Sequence, residues 1–477
     1  MYEEGQESAA DRTDLIGVVL AAGKGTRMRS EVPKVLHQIA GRPMLAWVLD
    51  SVRAAKCSRI LIVVGHGAET VREQFPDDDL EWIEQTEQRG TGHALAQVEA
   101  SLGGAAELLV VSGDVPLVSA GTLRELVERA VEGWGSMAVA ELADPGSLGR
   151  VIRTDTGSLE RIVEAADATL DVLEVPLINA GLYVLPAPDI FDRLRQIDSD
   201  NAQGEVYLTD ALGAAAADGQ SVVTVDLENP AEAAGINDRL ELADAHRYLI
   251  DFKLMDLALS GVTILEPERT TIEPGVEVGR DTVIHPDVSL LGATRIGSGC
   301  ELHQGCWIRN SEVSEGAVVR PYSVLEGSVV GVDCQVGPFS RLRPGSVLEK
   351  GARTGNFVEV KNARLRAGVK AGHLAYLGDA DIGEGANIGA GTITCNYDGE
   401  KKHATEIGAG AFIGSDTMLV APVTVGEDAI TGAGSVITSD VPDGALAVER
   451  SRQRNIEGWA VRRRKQGQAV DDSEEES

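Results

Sequence analysis

Aromatic residues are scarce: Phe, Trp and Tyr together make up 4% of the 477 residues, whereas glycine reaches 54. A chain of this length is too long for one core and points to two or three domains. Its 43% of hydrophobic residues can fill them, which excludes wholesale disorder. Abundant glycine with few aromatics suggests a repetitive β architecture. Long apolar runs are also missing. Those present, such as residues 60–64, are strand-sized, far below the ~20 residues of a membrane span. The opening MYEEGQESAADRTD is acidic where a signal peptide would be basic. Five cysteines (Cys57, Cys300, Cys306, Cys334, Cys395) are odd in number and contain no CxxC pair. That argues against a disulfide framework or a zinc site and fits a reducing compartment. These absences predict a soluble, cytoplasmic protein without a membrane partner.

Positive charge is the remaining deficit. Against 75 Asp and Glu stand 43 Lys and Arg, a net charge of −32. Nucleic acid and anionic lipid are excluded as generic partners, because both require a basic surface. Only 10 of the 43 cations are Lys, a usage that salt-adapted organisms can show. If the substrates are phosphates, local clusters of cations must overturn this global field.

Apolar runs at 15–20, 60–64, 108–111, 137–140 and 182–185 alternate with helical stretches such as 44–55 and 122–132. Alternation of this kind predicts an α/β sheet with crossover connections, Rossmann-like, over residues 14–238. Residues 239–260 lack Gly and Pro and carry helical periodicity, as a linker helix would. From Ile272 to Ile437 the period becomes six. Of 28 positions at hexad spacing, allowing one-residue slips, 24 are Val, Ile or Leu, and Gly follows 13 of them. A period of six fits a solenoid whose hexads form the flat faces of a three-sided coil. Residues 261–450 should therefore form roughly nine coils of a parallel β-helix with the apolar residue inside. The left hand comes from the known hexapeptide-repeat family, since period alone does not fix it. Residues 1–13 and the tail from 451, beyond about 465, read as disordered.

The first chemical centre is LAAGKGTRM, residues 20–28. It is neither a Walker A loop nor a full dinucleotide fingerprint. Gly23 and Gly25 let backbone N–H groups approach an anion. Lys24, Arg27 and Lys34 supply three cations in eleven residues, the local inversion required above. LAAGKGTRM followed by PKVLH resembles the sugar-nucleotide pyrophosphorylase family. With the hexapeptide β-helix behind it, the chain is similar, from about residue 16 to 459, to the family of bifunctional N-acetylglucosamine-1-phosphate uridyltransferases and glucosamine-1-phosphate acetyltransferases.

That resemblance implies a uridine pocket of Leu20, Ala21, Ala22 and Gly23 with Gln85, Gly90 and Thr91. Ser112 and Gly113 would adjoin the nucleotide. Asp114 and Asn237 would hold Mg²⁺, while Gly149, Glu164 and Asn179 would face the sugar. Asn237 could also serve as the N-cap of the linker helix, alone or together with that role. The implied chemistry is in-line attack of a sugar-1-phosphate oxygen on the α-phosphorus of UTP, with Arg27 and Lys34 as the catalytic cations. Ser112, Leu148, Ala166 and Ala180 depart from residues frequent in the family (Tyr, Tyr, Lys and Thr), which puts sugar selectivity rather than catalysis in doubt.

The second centre lies in the hexad region, where RLRPG, NFVEVKNARL, KAGHLAYLGDA and ANIGAGTITCNYDG break an otherwise aliphatic text. Arg343 and Lys361 are 18 residues apart, one coil, so a wall of side chains along one face is expected. The resemblance makes His373 the general base that takes a proton from the sugar amine. It gives Arg343 and Lys361 the sugar phosphate, and Tyr376 and Asn387 the sugar. Asn396 and Tyr397 would lie at the acetyl carbonyl. Ala390, Ser415, Ala433 and Arg450 would receive acetyl-CoA, with Arg452 as an alternative to Arg450. Cys395 is a bystander in this reading. A homotrimer is implied. The competing functions are a nucleotidyltransferase whose β-helix only oligomerises and a non-catalytic regulatory homologue.

Overall fold

The computed structural model describes residues 14–146, 148–201 and 204–464. The two segments expected to be disordered, 1–13 and the tail beyond about 465, lie outside the described residues. The chain divides into two compact units, residues 1–253 and 254–477.

The first unit is a mixed α/β sheet. In chain order its strands and helices are β1 (Asp14–Ala21), the short hairpin β2 (Gln38–Ile39) and β3 (Arg42–Pro43), α1 (Met44–Ala54), β4 (Arg59–Val64), α2 (Ala68–Gln74), β5 (Leu80–Glu84), α3 (Thr91–Ala96), β6 (Ala106–Ser112), α4 (Ala120–Ala130) and β7 (Gly135–Glu141). There follow β8 (Arg150–Arg153), β9 (Leu159–Val163), α5 (Leu170–Leu173), β10 (Leu177–Ala187), α6 (Asp189–Leu194), α7 (Leu208–Ala217), β11 (Val222–Asp226) and the linker α8 (Arg239–Leu259). The sheet order is β11-β7-β10-β6-β1-β4-β5, with β8 and β9 attached beside β10. Strands β1, β4, β5 and β6 are parallel. Strand β10 runs against both β6 and β7, an antiparallel insertion that the crossover pattern does not anticipate. Both faces of β1 are covered: Val19 packs with Ile62 and Val111 on one side, Val18 with Leu61 and Val110 on the other. Burial on both faces is why β1 reads as a continuous apolar run rather than an alternating one.

The second unit is a left-handed parallel β-helix of three sheets, containing 11, 10 and 9 short strands. Successive coils pair in parallel register, Leu290 with Ile308 and Ile308 with Leu325. The coils number about ten rather than nine, because strands Thr263–Ile264 and Leu446–Ala447 extend the prism past both ends of the counted hexads. The hexad residue points inward, as at Ile284, Leu342 and Ile413, each 0% exposed. Three inward positions are Thr354, Thr394 and Thr431, and the prism tolerates them because their hydroxyls bond across coils, Thr394 Oγ1 to the Gly378 carbonyl at 3.0 Å for example. The position two before each hexad residue is also buried, and it holds Ser, Thr, Ala, Val or Cys. Cys300, Cys306 and Cys334 sit there. Burial pushes the Cys306 thiol up to about 12, so it is a packing group. Gly389 follows its hexad residue where a Cβ would come within 2.6 Å of Ile413 O and Ser415 N, so the corner accepts no side chain there.

Candidate active sites

In the first unit, β1 ends at Ala21 and the chain turns through Gly25, whose φ of 58° is left-handed. A Cβ at Gly25 would lie 2.8 Å from that of Lys34. The glycine therefore lets the Lys34 side chain pass beneath the loop. The Lys34 ammonium donates to Asp114 Oδ2 and, at 2.8 Å, to Asn237 Oδ1. Asp114 follows the carboxyl end of β6, where ligands bind in open α/β sheets. Asn237 does not cap α8. Asp238 does, accepting from the N–H groups of Leu240 and Glu241, which leaves the Asn237 amide oxygen turned toward Lys34. A carboxylate and an amide oxygen thus converge on one cationic point, a donor set suited to a hard divalent ion with few protein ligands.

These groups adjoin a cleft of about 440 Å³. Among its lining residues are Leu20, Ala21, Ala22, Gly23 and Lys34, together with Gln85, Gly90, Thr91, Ser112 and Asp114. The Gln85 amide is 2% exposed and donates to the Gly90 carbonyl at 3.3 Å, with His93 Nδ1 2.8 Å away. Gly90 has φ 102°, and a Cβ there would press within 2.6 Å of the Val206 carbonyl. Gly113 donates its N–H to the Leu20 carbonyl at 2.8 Å and joins the floor strands. Of the residues expected to face the sugar, Asn179 N–H donates to the Gly149 carbonyl at 3.0 Å, and Glu164 accepts from Thr209 Oγ1 at 2.9 Å. Burial raises the Glu164 carboxyl above its ordinary value, and the nearby Asp210 and Asp167 add to the effect. The Asn179 amide is engaged by Tyr183 and the Gly181 N–H, so its orientation is fixed. Arg27 is not brought into this cleft. It is exposed on the turn Thr26–Met28 and lines an adjoining opening with Asp238 and Arg239. Gln88 and Glu205 also line the cleft and were missed, since nothing in their spacing marks them.

In the second unit the proposed residues fall on two faces rather than one wall. Arg343, Lys361, Tyr376 and Asn396 lie in or beside the strands of one sheet, and Asn387 lies in the next sheet. The reason is phase: Arg343 and Lys361 are one coil apart, but Asn387 is not a whole number of coils from either. His373 ends strand Lys370–His373 at the corner between the two sheets, is exposed, and neighbours Asn356 in register. On the first face, Arg343 Nη1 pairs with Glu359 at 3.0 Å. The buried Asn396 amide donates to Asp379 Oδ2, and Asn362 Nδ2 donates to Asp379 Oδ1 at 2.6 Å. Burial works to raise the Asp379 carboxyl, but those two amides, Lys361 and Lys402 outweigh it and hold it below its ordinary value. Lys361 lowers the neighbouring Lys402 ammonium. Lys361 and Lys402 thus form a crowded cationic pair beside an engaged carboxylate. Lys402 was missed because it stands in the polar loop 395–406, where no hexad phase could align it with Lys361. Tyr397 is exposed on that loop. Burial raises the Cys395 thiol, in keeping with a bystander.

Along the neighbouring corner, Ala390, Ser415 and Ala433 follow one another coil by coil. The Ala390 carbonyl accepts from Asp416 N–H at 2.6 Å, the Ser415 carbonyl from Gly434 N–H at 2.8 Å, and the Ala433 carbonyl from Arg450 Nη1 at 2.7 Å. Arg450 therefore stands at the end of this row.

An α/β unit with a cation and two oxygen donors at the carboxyl edge of its sheet, followed by a hexapeptide prism with a paired-lysine face, defines a nucleotidyltransferase fused to a hexapeptide acyltransferase. Family models agree: residues 17–214 match the MobA-like NTP transferase domain, 267–371 the GMPPB C-terminal domain, and 404–439 the bacterial transferase hexapeptide (six repeats). The chain is 45% identical to the bifunctional protein GlmU of Pelobacter propionicus, over 95% of this chain and 99% of that one. It is 48% identical to the GlmU of Anaeromyxobacter sp., over 96% and 94%, and 47% identical to that of Stutzerimonas stutzeri, over 93% and 98%. The chain belongs to the GlmU family and is a bifunctional transferase.

Proposed function

We propose that this chain makes UDP-N-acetylglucosamine in two steps: acetyl transfer from acetyl-CoA to glucosamine-1-phosphate, then uridylyl transfer from UTP to N-acetylglucosamine-1-phosphate with release of pyrophosphate. The observation that carries the second step is the convergence of Lys34, Asp114 and Asn237 at the edge of the nucleotide-sized cleft. Asp114 and Asn237 would hold Mg²⁺, which when bound offsets phosphate charge and polarises the phosphoryl oxygens. The Lys34 ammonium is positioned to stabilise charge developing on the transferring phosphoryl group, and Arg27 adds positive charge beside the cleft. The Gln85 amide, fixed by Gly90 and His93, orients the base. Glu164 and Asn179 meet sugar hydroxyls. The sugar-phosphate oxygen is itself the nucleophile, so the chain needs only to align it with the α-phosphorus.

For the first step, Lys361 and Lys402 with Arg343 would bind the sugar phosphate. His373 would take a proton from the attacking amine, and the row from Ala390 to Arg450 would receive coenzyme A. His373 is exposed in one chain, so its water-free setting is supplied by neighbouring copies in a homotrimer. Tyr322, Phe339 and Phe357 support that assembly. They stack 5.4 Å apart down one corner, 46–57% exposed and all at left-handed φ. Large apolar side chains held out in a disfavoured conformation serve an interface. Among the described residues no helix is long and apolar enough to cross a membrane, which supports a cytoplasmic site of action. One incubation with glucosamine-1-phosphate, acetyl-CoA, UTP and Mg²⁺ tests the whole reading: both free thiol and pyrophosphate are expected, and absence of either removes that half. His373→Ala should abolish thiol release while pyrophosphate release from N-acetylglucosamine-1-phosphate persists.

A further inference from the structure

The outer face of the first coils of the β-helix carries a cluster that neither reaction uses. His285 and His303 occupy the same position in consecutive coils, because the preceding residues Ile284 and Leu302 pair in register. Their imidazoles stack with centroids 4.7 Å apart and planes 28° apart. Glu301 lies two residues before His303, on the same side of the strand. Its Oε1 is 3.1 Å from His285 Nε2 and 3.5 Å from His303 Nε2. Among the described residues this is the one set of three His, Cys, Asp or Glu side chains with ligating atoms gathered together, all within 4.8 Å of one another. The side chains are 27%, 45% and 25% exposed, so the backbone of the prism fixes them while water still reaches them.

Two imidazole nitrogens here address one carboxylate oxygen. A divalent cation between them would engage all three groups at once. Two imidazoles and one carboxylate suit a borderline ion such as Zn(II), whereas Mg(II) and Ca(II) prefer all-oxygen sets. Three protein ligands with open solvent positions also match a four-coordinate zinc centre completed by water. One feature acts against the cation. Arg320, at the equivalent position of the following coil, places its charge near His303.

We propose that His285, Glu301 and His303 form a Zn(II) site that clips consecutive coils together near the start of the β-helix. The full-length chain, stripped with a chelator, is titrated with Zn(II) in excess Mg(II), which occupies oxygen-only sites. One Zn(II) per chain is expected by calorimetry. His285→Gln or His303→Gln should weaken binding by at least about tenfold, while both transfer activities stay unchanged. Arg320→Gln, which leaves all three ligands in place, should bind more tightly. Co(II) added to the unmodified chain provides a reading that needs no substitution: visible bands of a nitrogen-ligated ion are expected. The proposal is overturned if the Zn(II) isotherm of the double Gln variant matches that of the unmodified chain, or if Co(II) shows only its aqueous spectrum.

Discussion

Lys34 reaches Asp114 and Asn237 across sequence separations of 80 and 203 residues, so its chemistry exists only in the folded chain. At 11% side-chain exposure its charge is worth more than in open water. Lys34→Ala should therefore lower kcat for uridylyl transfer by about 10²–10³ and leave acetyl transfer intact; equal kcat values for the two chains would remove its catalytic role. Glu164 carries a second residue-scale consequence. Burial raises its carboxyl, so the fold holds that proton more tightly than the unfolded chain does. Its favourable contribution is complete below the unfolded value and is lost as pH rises through the folded value. Glu164→Gln should then raise the melting temperature near pH 8 and have little effect near pH 4. An unchanged melt at both would show the carboxylate to be solvated in solution. The strings LAAGKGTRM and PKVLH mark Gly23, Gly25 and Lys34 as candidates for phosphate contact, but Gln88 and Glu205 in the same cleft, and Lys402 in the second unit, were beyond their reach, because no local spacing ties them to either site.

Elements differ in how much of themselves a linear pattern reveals. Strands β1, β4 and β6 are legible because both faces are buried and the run is apolar throughout, and the hexad strands because one inward residue recurs every six positions. The antiparallel course of β10 was not legible, since strand direction leaves no trace in composition. The second buried position, two before each hexad residue, is not legible for a similar reason: it mixes Ser, Thr, Ala, Val and Cys, and the Ser and Thr among them do not stand out until their hydroxyls are seen bonding across coils. The hexad position itself carries packing energy. Leu342, fully buried, immediately precedes Arg343, and Leu342→Ala should cost about 2–5 kcal/mol. Because each coil contacts only its neighbours, the damage should stay local. Acetyl transfer is expected to fall with the melting transition of the β-helix while uridylyl transfer at 25 °C is retained, and a parallel loss of both would contradict such local coupling.

For the whole molecule, scarcity of aromatics makes their placement informative. Three of the few present stack on one exposed corner of the prism. Phe339→Asp with Phe357→Asp should convert a trimer to monomers in sedimentation velocity and abolish acetyl transfer, with uridylyl transfer preserved; a trimer that survives would place the interface elsewhere. The net charge of −32 describes the bulk surface. Lys34 on one unit, and Arg343, Lys361 and Lys402 on the other, are local exceptions to it, and the proposed reactions place their small phosphates there. The missing CxxC pairs, in turn, argued only against zinc held by thiolates and were silent on the imidazoles of His285 and His303.

By itself the sequence determined the two architectures, because periods of burial are properties of a linear text: apolar runs separated by helices give a layered sheet, and a sustained period of six with occasional one-residue slips gives a three-sided prism. It also determined which residues could carry chemistry in the Gly-rich loop and in the polar breaks of the hexads. Tertiary structure alone decided which of them meet. Register placed Arg343 over Lys361 but set Asn387 on another face, the capping of α8 by Asp238 freed Asn237 for Lys34, and the turn after Gly25 left Arg27 outside the cleft. Coil register and the meeting of Lys34 with Asp114 and Asn237 are set by hydrogen bonds between segments distant in sequence, and the cap and the turn, though local, show which side chain they free only once those segments are in place.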